Sequence, residues 1–171
     1  NLTGYWLKKG SDSEVSNVGY NNAFMTDYPC VLIRLADLYL MKAEAWNEYL
    51  AVPDEEHVYA PLNEVRRRAG IPDVKEAWKT YAKNPGKVAT KEGMREIIHR
   101  EWDIEFAFEG RRFWNLRRWL TAVDELNEEQ YGWNIVGRNA REFYNNFKEP
   151  VMVWAKRKFI SPRDYLFPLQ S

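Results

Sequence analysis

Residues 31–50 read VLIRLADLYLMKAEAWNEYL, and the fold class turns on their period. At about 100° per residue, Arg34, Asp37, Glu44, Asn47 and Glu48 share one arc of about 140°. Apart from Lys42, the rest of the circumference is apolar. A helix apolar over so much of its surface needs neighbours on more than one side. After the connector AVPDEEH, YAPLNEVRRRAGIPD supplies a second helix, stopped by Gly70 with Pro72 just beyond. Two helices on a short loop make an antiparallel hairpin, and Ala36, Ala43 and Ala45 permit close approach, as in a tetratricopeptide-type unit. One such pair is visible over residues 31–70, not an array.

Outward from that pair, residues 1–30 form an irregular lead-in rich in Gly, Ser, Asn and Asp, with one short strand expected near Tyr5–Lys8. Residues 71–89 hold a short amphipathic helix (VKEAWKTYA) and a polar loop (KNPGKV). Across 90–128 two helices are expected, one capped by Thr90 and running to Gly110, the next from Arg111 to Leu126. Residues 129–171 hold loops and short strands, VMVWAKRKFI and YLFPLQ, flanking an SPRD turn. The chain opens NLTGYWLKKG without Met and stops at YLFPLQS, so a fragment of a longer protein is expected.

Lys plus Arg and Asp plus Glu both number 25, so no overall field favours nucleic acid. Eight Trp, ten Tyr and eight Phe in 171 residues suit a core, a protein interface or the faces of sugars and bases. Cys30 is the only cysteine, which excludes an internal disulfide and a Cys-based zinc site. No apolar run approaches the roughly 20 residues of a membrane span.

The densest chemistry is EWDIEFAFEGRRFWNLRRW, residues 101–119. With Met94 at zero on a helical wheel, Ile97, Ile98, Ile104 and Phe108 lie within about 80° of it and Trp102 stands at the edge. Glu101 and Glu105 fall near the middle of this apolar face, whereas Arg95, Glu96, His99, Arg100 and Asp103 point the other way. A buried carboxylate without a partner costs several kcal/mol, so cations are required. Arg112 and Arg117, just past the Gly110 turn, are the nearest; Arg66 to Arg68 are the alternatives.

Three chemical readings compete with this ion network. A glycosidase acid–base pair needs one carboxyl kept protonated, whereas two Glu surrounded by Arg are both held ionised. Glu96-x-x-His99 has di-iron spacing but lacks the second copy and facing carboxylates. RRFWNLRRW interleaves Arg with stacking rings, yet residues 95–118 carry six Arg against five Asp or Glu, which disfavours phosphate binding. Nucleotide-loop, hydrolase-elbow and HExxH motifs are absent from the sequence. No catalytic residue, metal or cofactor is assigned.

The order TGYWLKK, IRLADLYLMKAEAWNE, LNEVRRRAGIP, TKEGMREIIHREWDIEFAFEGRRFWNLRRW and FISPRDYLFPLQ resembles the C-terminal part of the SusD/RagB family, surface nutrient-binding lipoproteins of Bacteroidetes. The resemblance spans nearly the whole chain, so residues 1–171 are taken as a single region. It implies a mainly α fold, a tetratricopeptide-like helical scaffold with long loops and a few short strands near the C-terminus. It also implies non-enzymatic capture of oligo- or polysaccharides, or of peptides in some members, and delivery to a SusC-like TonB-dependent transporter. The setting it implies is the extracellular face of the outer membrane, with a lipid anchor outside this chain. Cys30, just before a helix, is no such anchor. The loop Tyr131–Asn146 has chemistry suited to sugars, with Tyr131, Trp133, Asn134, Arg138 and Tyr144 as candidates. The alternative function is a helical protein-interaction module with no carbohydrate site in this segment.

Overall fold

The computed structural model describes residues 3–5, 7, 9, 31–152 and 157–166. Cys30 and most of the lead-in lie outside them, as do Trp6 and Lys8 of the expected first strand; Tyr5 and Leu7 are not in a strand. The chain divides into two compact units, residues 27–112 and residues 1–26 with 113–171.

The first unit is helical. Helix α1 (Leu35–Tyr49) follows an extended Arg34, whose N–H donates to Asp37 Oδ2 at 2.7 Å. Ala36, Leu40 and Ala43 face inward, where α1 meets α2 (Ala60–Arg68) and α4 (Lys91–Glu105). Full burial of a side chain such as Leu40 is worth about 1.5–3 kcal/mol. A π-helical turn, Glu55–Tyr59, begins where Asp54 accepts the His57 N–H at 2.8 Å, and it runs directly into α2. Pro61 sits in the first turn of α2, where its missing N–H costs nothing. Gly70, at φ +72°, ends that helix. Its N–H donates to the Arg67 carbonyl (3.0 Å) and that of Ile71 to the Arg66 carbonyl (3.2 Å), satisfying two end carbonyls.

Helix α3 (Val74–Tyr81) is tied to α2 by its first N–H, which donates to Asn63 Oδ1 at 2.9 Å. A 3-10 turn, Pro85–Ala89, precedes Thr90, whose hydroxyl accepts the Gly93 N–H at 3.1 Å and caps α4 as the sequence indicates. Any side chain at Gly93 would collide with the Lys87 backbone carbonyl.

The wheel predicts the inward face of α4 well: Met94, Ile97, Ile98, Glu101 and Trp102 are buried. It fails beyond. The helix ends at Glu105 and not at Gly110, because Phe106 turns inward as the C-cap and Phe108 adopts φ +65°. Ile104 and Phe108, expected in the core, are therefore exposed. Helix α1 differs as well, since its polar residues Asp37 and Asn47 are buried while Leu35, Leu38 and Met41 are exposed. Asn47 justifies its burial by donating to the Lys91 carbonyl at 3.0 Å.

The boundary between the units falls within α5 (Arg111–Arg118). A single helix through Leu126 does not form: Leu120 takes φ +61°, and α6 (Ala122–Leu126) starts afresh. In the second unit β1 (Tyr131–Gly132) pairs antiparallel with β2 (Val151–Met152), and α7 (Ala140–Phe143) is capped by Asn139 through the Glu142 N–H at 3.0 Å. The Asn127 amide brackets Phe159, donating to its carbonyl at 3.0 Å and accepting its N–H at 2.7 Å. SPRD leads into a 3-10 turn, Arg163–Tyr165, with Asp164 accepting the Ile160 N–H at 2.7 Å. Residues 167–170 of the last expected strand lie outside the described residues.

Candidate functional site

Two clusters carry the chemistry of the described residues, one ionic and one aromatic. In the helical unit Glu101, buried on α4, is paired with Arg66, buried on α2. Arg66 spends its Nε on the Pro72 carbonyl at 2.8 Å. Burial pushes the Glu101 carboxyl above the ordinary range, Arg66 pulls it part of the way back, and Glu105 adds to the rise.

Glu105 receives two arginines. Arg34 donates through Nη1 at 2.6 Å, and Arg68 through Nη2 at 2.8 and 2.7 Å to the two carboxylate oxygens. Arg34 also forks onto Glu109 through Nε and Nη2, both at 2.9 Å, and lies 4.2 Å from the centre of the Phe106 ring. Burial works against the Arg34 charge, but Glu105 and Glu109 outweigh it and hold the guanidinium above its usual value. Arg111 bonds the Leu32 carbonyl at 2.6 Å and lies 3.3 Å from Asp37. These contacts join the start of α1 to the end of α4.

The expectation that Arg112 and Arg117 supply the cations for Glu101 and Glu105 is corrected. Arg112 pairs with Asp103, and Arg117 donates to the carbonyls of Asp164, at 2.9 Å, and Tyr165. The physical reason is the early end of α4: the chain leaves the helical path at Phe106, and the cations come from α2 and the residue before α1. Of the alternatives raised from the sequence, Arg66 and Arg68 take those places. Arg34 and Glu109 were missed. Their signal was faint, an Arg just ahead of a strongly apolar helix with an acid three residues on.

The cluster holds charge without offering a reaction. Both glutamates are occupied by guanidinium groups, and among the described residues no group of three or more His, Cys, Asp or Glu is placed to hold a metal. Glu96 pairs with Lys87, while His99 lies 4.0 Å from Glu44, so the two members of the Glu-x-x-His motif turn to different partners.

The aromatic cluster lies in the second unit. Trp133 stands 6.4 Å from Tyr5 and 5.3 Å from Tyr144, edge-on to the latter. Phe143 is 4.9 Å from Tyr144, and Phe147 stacks on Tyr144 at 6.1 Å with 23° between the planes. Tyr5, Tyr144 and Phe147 are exposed, whereas Trp133 and Phe143 are partly covered. Of the five loop residues picked from the sequence, Trp133 and Tyr144 are brought together. The Asn134 N–H donates to the Phe143 carbonyl at 3.0 Å, and its side chain accepts from Val136 at 3.2 Å. The Arg138 side chain is exposed, and its N–H donates to Glu142 at 2.8 Å. Tyr131 donates its hydroxyl to Glu129 at 2.8 Å. Tyr5, Phe143 and Phe147 were missed; the aromatic spacing of REFYNNF was the sequence signal for the last two, whereas Tyr5 stands far away in TGYWLKK.

Among the described residues, then, one unit is a set of helices held by an internal ion network, and the other exposes a cluster of rings. The model of the SusD family matches residues 1–171, and the chain belongs to that family of binding proteins. The SusD-like protein P25 of Formosa agariphila is 31% identical over 121 residues, covering 71% of this chain and 21% of that protein. The crystal structure of a SusD-like protein from Bacteroides fragilis superposes with a TM-score of 0.68 at 30% identity, covering 96% of this chain and 27% of the other. The chain thus spans about a fifth to a quarter of the length of these relatives.

Proposed function

We propose that this protein captures glycans at the outer surface of the outer membrane and passes them, without breaking any bond, to a SusC-like TonB-dependent transporter. Family membership supports the reading, and the observation that carries it within this chain is the contiguous set of rings Tyr5, Trp133, Phe143, Tyr144 and Phe147. Ring faces stack on the C–H faces of sugars, and the flanking Asn134 and Arg138 provide polar groups for hydroxyls. No helix among the described residues is long and apolar enough to cross a membrane; attachment through a lipid outside this chain is part of the proposal and rests on family membership. Isothermal titration of the full-length protein against plant, algal and host glycans tests it. Binding to at least one glycan is expected; binding to none, with transporter association retained, would favour the protein-interaction module instead.

A further inference from the structure

We draw no further inference here: the strongest candidate, the exposed apolar stripe of Leu35, Leu38, Met41 and Tyr49 along α1, carries nothing, since nothing among the described residues shows what covers it.

Discussion

The helical unit and the ring unit solve the same problem, fixing a chain rich in charge and aromatics, by different means. In residues 27–112 charges are turned inward and matched, Glu101 with Arg66 and Glu105 with Arg34 and Arg68, between long helices that bury Leu40, Leu62, Met94 and Ile98. In residues 113–171 the helices are short, the strands have two residues each, and single polar side chains clamp backbone, as Asn127 does to Phe159 and Arg117 to Asp164. Rings left over from packing stand in water there. The difference teaches how each kind of residue is used: matched inward charge ties helices together, whereas the lightly built unit leaves rings exposed, which is where the proposed function places the ligand.

The largest expected effect lies in the scaffold. Arg66→Met leaves Glu101 buried without its guanidinium and should cost about 3–5 kcal/mol, seen as a fall in the urea midpoint of the full-length protein. An unchanged midpoint would mean that the pair contributes nothing and that the contrast between the units is one of appearance. In the ring unit Asn127→Ala removes both bonds to the Phe159 backbone and should cost about 1–3 kcal/mol. A loss as large as that of Arg66→Met would erase the proposed difference in construction.

How much of this was legible in the sequence follows from the range of the signals. The phase of EWDIEFAFEG depends on neighbours a turn away, and it correctly turns Glu101 inward. Partner choice does not: Arg66 is 35 residues from Glu101 and Arg34 is 71 from Glu105, distances that periodicity cannot reach. Proximity in sequence pointed to Arg112 and Arg117, and it misled because α4 ends at Glu105. The capping of Thr90 and the stop at Gly70 are local chemistry and are legible for that reason. In the loop, Trp133 and Tyr144 could be chosen from composition, but Tyr5 lies more than 120 residues from Trp133, and the left-handed turn at Asn145–Phe147 leaves no mark of glycine or proline.

A pH dependence sharpens the account of the scaffold. The folded-state pKa of Glu101 is raised above its ordinary 4.5 by burial, so the native state binds its proton more tightly than the unfolded chain does. That contribution to stability is fully present below 4.5 and is lost as pH rises through the raised value. Relative to a Glu101→Gln variant, the wild-type protein should therefore lose urea stability between pH 4.5 and neutrality; a gain over that range would show that Arg66 outweighs burial. The smallest effect belongs to the partly exposed Glu48–Arg95 pair, joined at 2.6 Å, whose carboxyl is held below its usual range by the Arg95 hydrogen bonds. Water screens that pair, and Arg95→Ala should cost only about 0.2–1 kcal/mol by chemical denaturation.

The central claim is that the charges of residues 101–112 hold the scaffold and leave ligand recognition to the rings. Titration of a bound glycan into full-length Glu105→Gln tests it most directly, with urea denaturation of the same sample as the control for stability. The account predicts a lowered midpoint and a Kd within about twofold of the wild-type value. A Kd weakened about tenfold at an unchanged midpoint would contradict it and place Glu105 at the ligand.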